Sequence, residues 1–215
     1  MYVPAPPVTP LAGFEPPGFK ASAPGEEATA ISALRVRHRS RDVLTGHPVS
    51  VGGRLIAKGS STSLPGRTVV VLQMLGRRWA TVAHAHTGVR GGFLLRFVPR
   101  HTGSARLRVR FAGEHGLLAS RRRIGRLNVY RPVQASWYGG GGSLACGGRL
   151  TSATMGVANR TLPCGTLVTL HLGSRTVRVP VVDRGPFVGG REFDLTSATR
   201  EALGFGDTGE IWSTV

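Results

Sequence analysis

The 215-residue sequence is poor in negative charge, in lysine and in long apolar runs. Eleven acidic residues stand against 28 basic ones, 26 of which are arginine, so the formal net charge is +17. The longest apolar run, Thr68–Leu75, is interrupted by Gln73 and is far shorter than the roughly 18 residues of a membrane span. The opening MYVPAPPVTP has no basic n-region and no apolar h-region, so we expect no secretory signal in it. The sequence predicts no transmembrane segment.

Glycine and proline are abundant, with 31 and 14 copies, while hydrophobic residues make up 40% of the chain. Such a composition favours short strands separated by turns, and the length suits two domains of roughly 100 residues each. We therefore predict an all-β fold. Residues 1–31, rich in proline, alanine and glycine, are expected to be a disordered tether. The two domains would then span residues 32–132 and 133–215.

The charge is concentrated in the first of these domains. Residues 31–132 carry twenty basic and two acidic groups, whereas residues 133–215 carry seven and six. A dense cationic surface attracts polyanions such as nucleic acid, anionic lipid or the anionic polymers of a bacterial wall. The nearly neutral second domain argues against specific nucleic-acid binding by the whole chain.

Short alternating runs begin near residues 67, 79, 93 and 105, a spacing typical of a β-sandwich. In Ala105–Phe111 the alternation places Leu107 and Val109 on one face of a strand and arginines on the other. This pattern resembles the small immunoglobulin-like (Ig-like) β-sandwiches appended to bacterial surface proteins. The resemblance implies that residues 32–132 form an Ig-like sandwich with arginines on solvated strand faces.

The second domain carries a series of motifs in a fixed order: ASWYG from Ala135, ACGGRLT from Ala145, GVANRTLPCGT from Gly156, VPVVDRGPF from Val179 and GREFDLT from Gly190. The series resembles the rare lipoprotein A (RlpA)-like double-psi β-barrels over essentially the whole domain. That resemblance implies a six-stranded barrel with one or two short helices. It also implies action on peptidoglycan glycan strands, because the family includes lytic transglycosylases, although its expansin relatives loosen walls without evident hydrolysis.

Lytic transglycosylation requires one carboxylic acid, which protonates the leaving oxygen and then recovers a proton from the muramic acid 6-hydroxyl. Asp183 follows an apolar strand and is the first candidate; its alternative role is to satisfy the amides of a turn. Asp194 is the second candidate, and its alternative role is to cap a helix that starts at Thr196.

The resemblance implies substrate-binding roles for Asn159, Arg184 and Arg191, and stacking of sugar rings on Trp137 and Tyr138, although Trp137 can equally fill the barrel. The sequence departs from the family's enzymatic pattern at two positions. Gly148 stands where many enzymatic members have glutamate, and Asn159 stands where they have histidine. An amide cannot shuttle a proton near neutral pH. Both a slow enzyme and a silent glycan-binding barrel therefore remain open.

The only two cysteines, Cys146 and Cys164, both lie in the second domain. They can form a disulfide, a redox pair or part of a metal site, but no companion ligands stand at metal-ligand spacing. We predict a disulfide, no metal site and no cofactor. A disulfide is typical of proteins outside the cytoplasm, so we expect an extracellular or wall-associated protein. Its partners would be peptidoglycan glycan strands and, through the arginine-rich sandwich, anionic wall polymers.

Overall fold

The computed structural model describes residues 26–37 and 42–215, and most of the predicted tether lies outside these ranges. The all-β fold class is confirmed, because the regular elements described are strands and one short helix. The strands of the N-terminal half are β1 (Thr29–Arg37), β2 (Asp42–Leu44), β3 (Val49–Ala57), β4 (Thr68–Leu75), β5 (Arg78–His86), β6 (Gly92–Phe97) and β7 (Gly103–Phe111). The four runs predicted from residue 67 onward are thus confirmed as β4 to β7. Strand β1 begins inside the segment predicted as tether, because Ile31 enters the core.

The remaining elements begin with a 19-residue strand, β8 (Ser120–Tyr138), which both halves share. They continue as β9 (Gly142–Ser143), β10 (Arg149–Leu150), β11 (Val157–Ala158), β12 (Leu167–Leu172), β13 (Arg175–Asp183), β14 (Phe193–Thr196), α1 (Ser197–Leu203) and β15 (Thr208–Ser213). The predicted domain boundary at residue 132 falls within β8. The division into two domains stays a prediction.

Two sheets form the N-terminal half. One has the order β1-β3-β6, and the other runs β5-β4-β7-β8 with the short β2 added to β8. Inward residues of both sheets meet in one core, among them Val51, Leu95, Val71 and Val109. Each fully buried side chain of this size stabilises the fold by roughly 1.5–3 kcal/mol. The half is therefore a sandwich in construction, while its Ig-like character stays a prediction.

Six strands close a barrel in the C-terminal half. The order β8-β14-β11-β13-β12-β15 returns to β8, with parallel pairing between β14 and β8 and between β11 and β13. The six-stranded barrel predicted from the motifs is confirmed. Its separate core contains Val157, Leu170, Val181, Phe193 and Ile211, all at most 1% exposed.

Helix α1 crosses one end of the barrel. Thr196 is its N-cap, with a side chain that accepts a hydrogen bond from the Thr199 amide. Gly204 ends it in the left-handed conformation at φ 67°, which a residue without a Cβ adopts readily. Thr196 and not Asp194 is therefore the N-cap, which leaves the Asp194 side chain for other contacts.

Candidate active site

The two predicted catalytic carboxylates lie on the same face of the barrel sheet. Across the neighbouring strands β13, β11, β14 and β8, the residues directly opposite one another are Asp183, Ala158, Asp194 and Ser136. Opposed residues of neighbouring strands project to the same side. The backbones of the two aspartates are thus two strand spacings apart, roughly 10 Å, with the small Ala158 between them.

A bulge in β13 brings Asp183 to this face. Val157 pairs with Val181, but the next residue, Ala158, pairs with Asp183, so Val182 is the extra residue. Without the bulge, Asp183 would share the inward orientation of Val179 and Val181, because side chains alternate along a strand. A one-residue shift reverses the side on which a residue projects. The bulge thus lies just beyond Pro180 and positions the acid.

Asp183 is half-buried and fixed through one oxygen. Its Oδ1 accepts hydrogen bonds from the backbone N–H groups of Ala145 at 2.8 Å and Arg184 at 2.9 Å. The Tyr138 side chain also interacts with this carboxyl group. The turn-amide role considered from sequence is therefore present, and it occupies only half of the carboxyl group.

Asp194 is held by a side chain on the neighbouring strand. Its Oδ1 accepts a hydrogen bond from the Ser136 hydroxyl. The alternative that Asp194 caps α1 is wrong, because Thr196 does so. Asp194 Oδ2 faces the turn after Asp183, where a Cβ added to Gly185 would lie 3.8 Å from it. The carboxyl group is therefore oriented toward the space between the two aspartates.

Tyr138 projects toward both carboxylates. It lies two residues after Ser136 on β8 and so shares its face. Its hydroxyl is buried. Burial, followed by the negative charge of Asp183, a side-chain hydrogen bond with Asp183 and then the charge of Asp194, raises the pKa of Tyr138 above its ordinary value. A hydroxyl that keeps its proton therefore lies beside the two acids.

Trp137 lies on the opposite face of β8, away from the carboxylates. Its indole N–H donates to Asp207 at 3.0 Å, and the Arg200 guanidinium lies 4.2 Å from its ring centroid. The ring also packs against the barrel core. These contacts agree with the alternative that Trp137 fills the barrel, and its role in sugar stacking stays a prediction.

Asn159 is 4% exposed, and its amide is committed to the backbone. Its Oδ1 accepts from the N–H groups of Thr161 and Leu162, and its Nδ2 donates to the Glu192 carbonyl. The amide therefore holds the turn after β11 to the segment before β14. Its predicted contact with substrate stays a prediction, and its observed contacts are structural.

Arg184 and Arg191 differ in what they can offer a ligand. Arg184 donates to the carbonyls of Asn159 and Leu162 and to Cys164 Sγ, so its guanidinium supports the neighbouring loop. Arg191 lines an open cavity of about 550 Å³, whose lining residues include neither Asp183 nor Asp194. The charged residues of that cavity are Arg131, Arg160, Arg191 and Glu192. Of the two arginines, Arg191 is the one that lines a cavity, and its role in substrate binding stays a prediction.

The disulfide between Cys146 and Cys164 is confirmed, with the two Cα atoms 5.5 Å apart. It joins the loop that donates to Asp183 to the loop that contains the TLPCGT motif. Cys146 N–H also donates to the Val182 carbonyl at the bulge, at 3.2 Å. The cross-link therefore holds the backbone on which the position of Asp183 depends.

Gly148, where enzymatic relatives carry glutamate, has φ +83° and nothing within 4 Å of an added Cβ. Side chains rarely adopt this conformation, so the backbone is built for glycine. Sequence reasoning also missed the roles of Ser136 and Arg131, which bond Asp194 and Glu192. The alternation of ASWY, which places Ser136 beside Tyr138, was the available signal for the first of these.

Among residues 26–37 and 42–215, no group of three or more histidine, cysteine, aspartate or glutamate side chains is arranged to hold a metal ion. In the same ranges, no helix is long and apolar enough to cross a membrane.

A closed six-stranded barrel with two parallel pairings and two carboxylates on one outer face defines a double-psi β-barrel domain with a candidate acid site. The family model described as "Lytic transglycolase" matches residues 131–212. This match confirms the similarity of the segment to the RlpA-like family that its motifs predicted.

Two similar proteins share the name "Probable endolytic peptidoglycan transglycosylase RlpA". The one from Aquifex aeolicus is 45% identical over 75 residues, which cover 33% of each chain. The one from Synechocystis is 41% identical over 80 residues, which cover 35% of this chain and 25% of the relative. The chain thus spans a third or less of these relatives.

Among solved structures, a Streptomyces papain inhibitor is 23% identical with a TM-score of 0.34, covering 40% of this chain and 92% of its own. A C-terminal fragment of intimin is 9% identical with a TM-score of 0.34, covering 77% of this chain and 62% of its own.

Proposed function

We propose that the barrel is a lytic transglycosylase that cleaves peptidoglycan glycan strands, with Asp183 as the general acid. The observation that carries the proposal is the row Asp183, Ala158, Asp194 on one outer sheet face, with Asp183 fixed at one oxygen by two backbone N–H groups. The family match of residues 131–212 and the names of the two relatives support the same reaction class.

The proposed reaction uses one proton twice. Asp183 protonates the glycosidic oxygen as its bond to C1 of the muramic acid breaks. The 6-hydroxyl of the same sugar then attacks C1 and returns its proton to the Asp183 carboxylate. The products are a free 4-hydroxyl end and a 1,6-anhydro-muramyl end, and no water is consumed.

The neighbouring groups have separate roles in this scheme. Asp194, fixed by Ser136, is a negative charge that stabilises the positive charge developing at C1. Tyr138 offers a hydroxyl that keeps its proton beside the two acids and can donate to a sugar oxygen. Arg191 binds the glycan in the cavity that it lines.

The test is product analysis by mass spectrometry after incubation with glycan strands that lack stem peptides. Asp183→Asn keeps an oxygen that can accept from Ala145 and Arg184 but has no proton to deliver. We expect it to retain fold and glycan binding and to lose anhydro products by about 10²-fold or more. Glu201→Gln, at an exposed helical position away from the carboxylates, is the matched control and should leave the product yield unchanged.

A second candidate function is a catalytically silent glycan-binding or expansin-like wall-loosening barrel. It is favoured by Asn159, whose buried amide is engaged with three backbone groups and supplies no proton. In Asn159→His, the restored imidazole would raise turnover by about 10²-fold if a lost proton shuttle limits the enzyme. Some stability would be lost, because two ring nitrogens cannot replace all three hydrogen bonds. If wild type and Asn159→His both bind glycan but release no anhydro product, the second function stands.

We further propose that the protein works at the cell wall and that its N-terminal half binds anionic wall polymer. The disulfide and the peptidoglycan relatives support the location. The excess of twenty basic over two acidic residues in residues 31–132 supports the polymer binding.

A further inference from the structure

Arginines line a groove on the outer face of the sheet formed by β5, β4, β7 and β8. The groove has a volume of about 700 Å³ and contains no acidic side chain among its lining residues. Its five outward-facing arginines, called the arginine groove below, are Arg106, Arg108, Arg121, Arg123 and Arg126. Arg122 also lines the cavity, but it lies opposite the buried Val109 and donates to the other sheet. None of these residues belongs to the barrel site.

Like charges lie directly opposite one another along the groove. In the antiparallel pairing of β7 with β8, Arg106 is opposite Arg126, Arg108 is opposite Arg123, and Arg110, beside the groove, is opposite Arg121. Like charges in directly opposed positions destabilise a sheet. Three such pairs in succession lower the stability of the free protein, and a bound anion would relieve the repulsion.

Charges in the described part of the chain do not neutralise these arginines. The ion pairs formed there join Arg67 to Glu114, Arg131 to Glu192, and Arg200 to Asp207, all outside the groove. The guanidinium groups of the five groove arginines make no hydrogen bond to a described residue, whereas the neighbouring Arg122 donates to the Ile31 carbonyl.

Arg108 lies at the centre of the groove with an unsatisfied donor. Its guanidinium is 4.0 Å from the ring centroid of Trp79, and its buried Nε has no hydrogen-bond partner among the described residues. Desolvation, and then the charges of Arg121 and Arg110, lowers the pKa of Arg108. A planar donor group that is fixed, crowded by positive charge and unpartnered suits an anion with several oxygens, such as phosphate.

We propose that the arginine groove is a binding site for a linear phosphodiester polymer without bases, of the polyol-phosphate kind. Arginines that alternate along β7 repeat at about 6.7 Å, an interval comparable to that of phosphates joined by a three-carbon polyol. The inference deepens the proposed polymer binding of the N-terminal half, and it does not require that the barrel be an enzyme.

The groove is poorly suited to the bases of a nucleic acid. Proteins that bind single strands without sequence preference add aromatic stacking platforms to a basic channel. The only aromatic residue among those lining the groove is Trp79, and one face of its ring is covered by Arg108. A polyanion whose repeating unit has no aromatic group uses the arginines without needing such a platform.

The experiment measures binding of fluorescent poly(glycerol phosphate) to the full chain over a series of salt concentrations. The test variant replaces three exposed groove arginines: Arg106→Gln, Arg121→Gln and Arg123→Gln. The control variant removes the same charge from exposed positions outside the groove: Arg54→Gln, Arg90→Gln and Arg96→Gln. Oligothymidylate and polyglutamate serve as competing polyanions, and thermal unfolding verifies that each variant is folded.

We expect the groove variant to bind about tenfold or more weakly near 0.1 M salt and to lose about 2 from the slope of log K against log salt. The control should keep most of both. The proposal is overturned if wild type does not bind poly(glycerol phosphate), if the control loses as much as the groove variant, or if oligothymidylate binds more tightly than the polyol polymer. Should the triple variant unfold, Arg123→Gln alone applies the same criteria with a slope change of about 0.7. Because no cleavage is measured, failure of this inference is distinguishable from failure of the transglycosylase proposal.

Discussion

The two ends of strand β8 use arginine in opposite ways. At its N-terminal end, Arg121 and Arg123 face other arginines across the sheet. At its C-terminal end, Arg131 forms a two-pronged ion pair with Glu192. The strand is continuous, so the contrast arises from its neighbours: β7 presents positive charge, whereas the segment before β14 presents a carboxylate. Arginine of this strand is thus paired with a carboxylate in the barrel and has no acidic partner in the sandwich.

The same contrast extends beyond β8. In the barrel, Arg184 and Arg175 donate to backbone carbonyls, and Arg200 contacts both Asp207 and the Trp137 ring. Most of the barrel arginines named here are therefore engaged in contacts within the barrel. The net charge of a domain does not measure how many of its charged groups are free to bind a ligand. The variants below test this distinction.

The largest expected effect on stability is loss of the disulfide. Replacing both Cys146 and Cys164 with alanine should destabilise the barrel by about 3 kcal/mol, because the 18-residue loop gains entropy when unfolded. Thermal unfolding of this variant, and of wild type with and without reductant, measures the effect. An unchanged melting temperature in both comparisons would contradict the role given to the cross-link.

The next effect compares two glycines that are crowded for different reasons. A Cβ at Gly156 in the barrel would lie 2.7 Å from Val182 Cγ1, on a stiff side chain at the bulge beside Asp183. A Cβ at Gly53 in the sandwich would lie 2.6 Å from Phe93 Cζ, at the far end of a ring that can move. We expect Gly156→Ala to destabilise by about 1–3 kcal/mol and Gly53→Ala to destabilise by less.

Denaturant unfolding of both glycine variants gives the comparison, and Gly141→Ala is the control, since nothing lies within 4 Å of its added Cβ. The expectation fails if Gly53→Ala is the more damaging change. Gly156→Ala should also reduce anhydro product if the bulge positions Asp183.

A smaller effect separates paired from unpaired arginine. Arg131→Gln should lower the free energy of unfolding by at most about 1 kcal/mol, because its partly exposed ion pair with Glu192 is screened by solvent. Arg123→Gln should leave it unchanged or raise it slightly at low salt, because the change relieves repulsion by Arg108. A clear loss of unfolding free energy in Arg123→Gln at low salt would mean that the groove is not under electrostatic strain.

The smallest expected effect is a change in how the free energy of unfolding depends on pH, and it is measurable only at alkaline pH. Burial and the negative charges beside Tyr130 and Tyr138 raise the pKa of each above its ordinary value of 10.0. The folded protein then keeps protons that the unfolded chain loses, so this stability is present below pH 10 and is lost as the pH rises above it. Tyr138→Phe and Tyr130→Phe should each make the decline of unfolding free energy above pH 10 shallower, as equilibrium unfolding at several pH values would measure.

Most strands could be predicted from the sequence because their side chains alternate. Strands β4 to β7 follow the predicted runs, and the barrel follows from the motifs. Strand β3 was not predicted individually because Gly52 and Gly53 interrupt its apolar pattern, although Phe93 packs where the Gly53 side chain would be. The continuity of β8 through residue 132 could not be predicted either. The change in charge there indicates a domain boundary, but it carries no information on whether the strand continues across that boundary.

The candidate site was predictable in its residue types and less so in its contacts. The position of Asp183 depends on a bulge whose register cannot be read from alternation alone. The burial of Asn159 depends on loops distant in sequence, such as the segment of Glu192. Trp137 and Tyr138 could have been separated from the outset, because consecutive residues of a strand project to opposite faces.

The central claim is that the barrel cleaves glycan and that the cationic sandwich is not needed for this reaction. The most direct test is the rate at which anhydro-muramyl products are released from soluble, peptide-free glycan strands. These strands carry no phosphodiester polymer for the arginine groove to bind. The account predicts equal rates for wild type and the triple Arg106→Gln, Arg121→Gln, Arg123→Gln variant, and a loss of about 10²-fold or more for Asp183→Asn. Product release that is absent in wild type, retained in Asp183→Asn, or abolished in the arginine variant would contradict it.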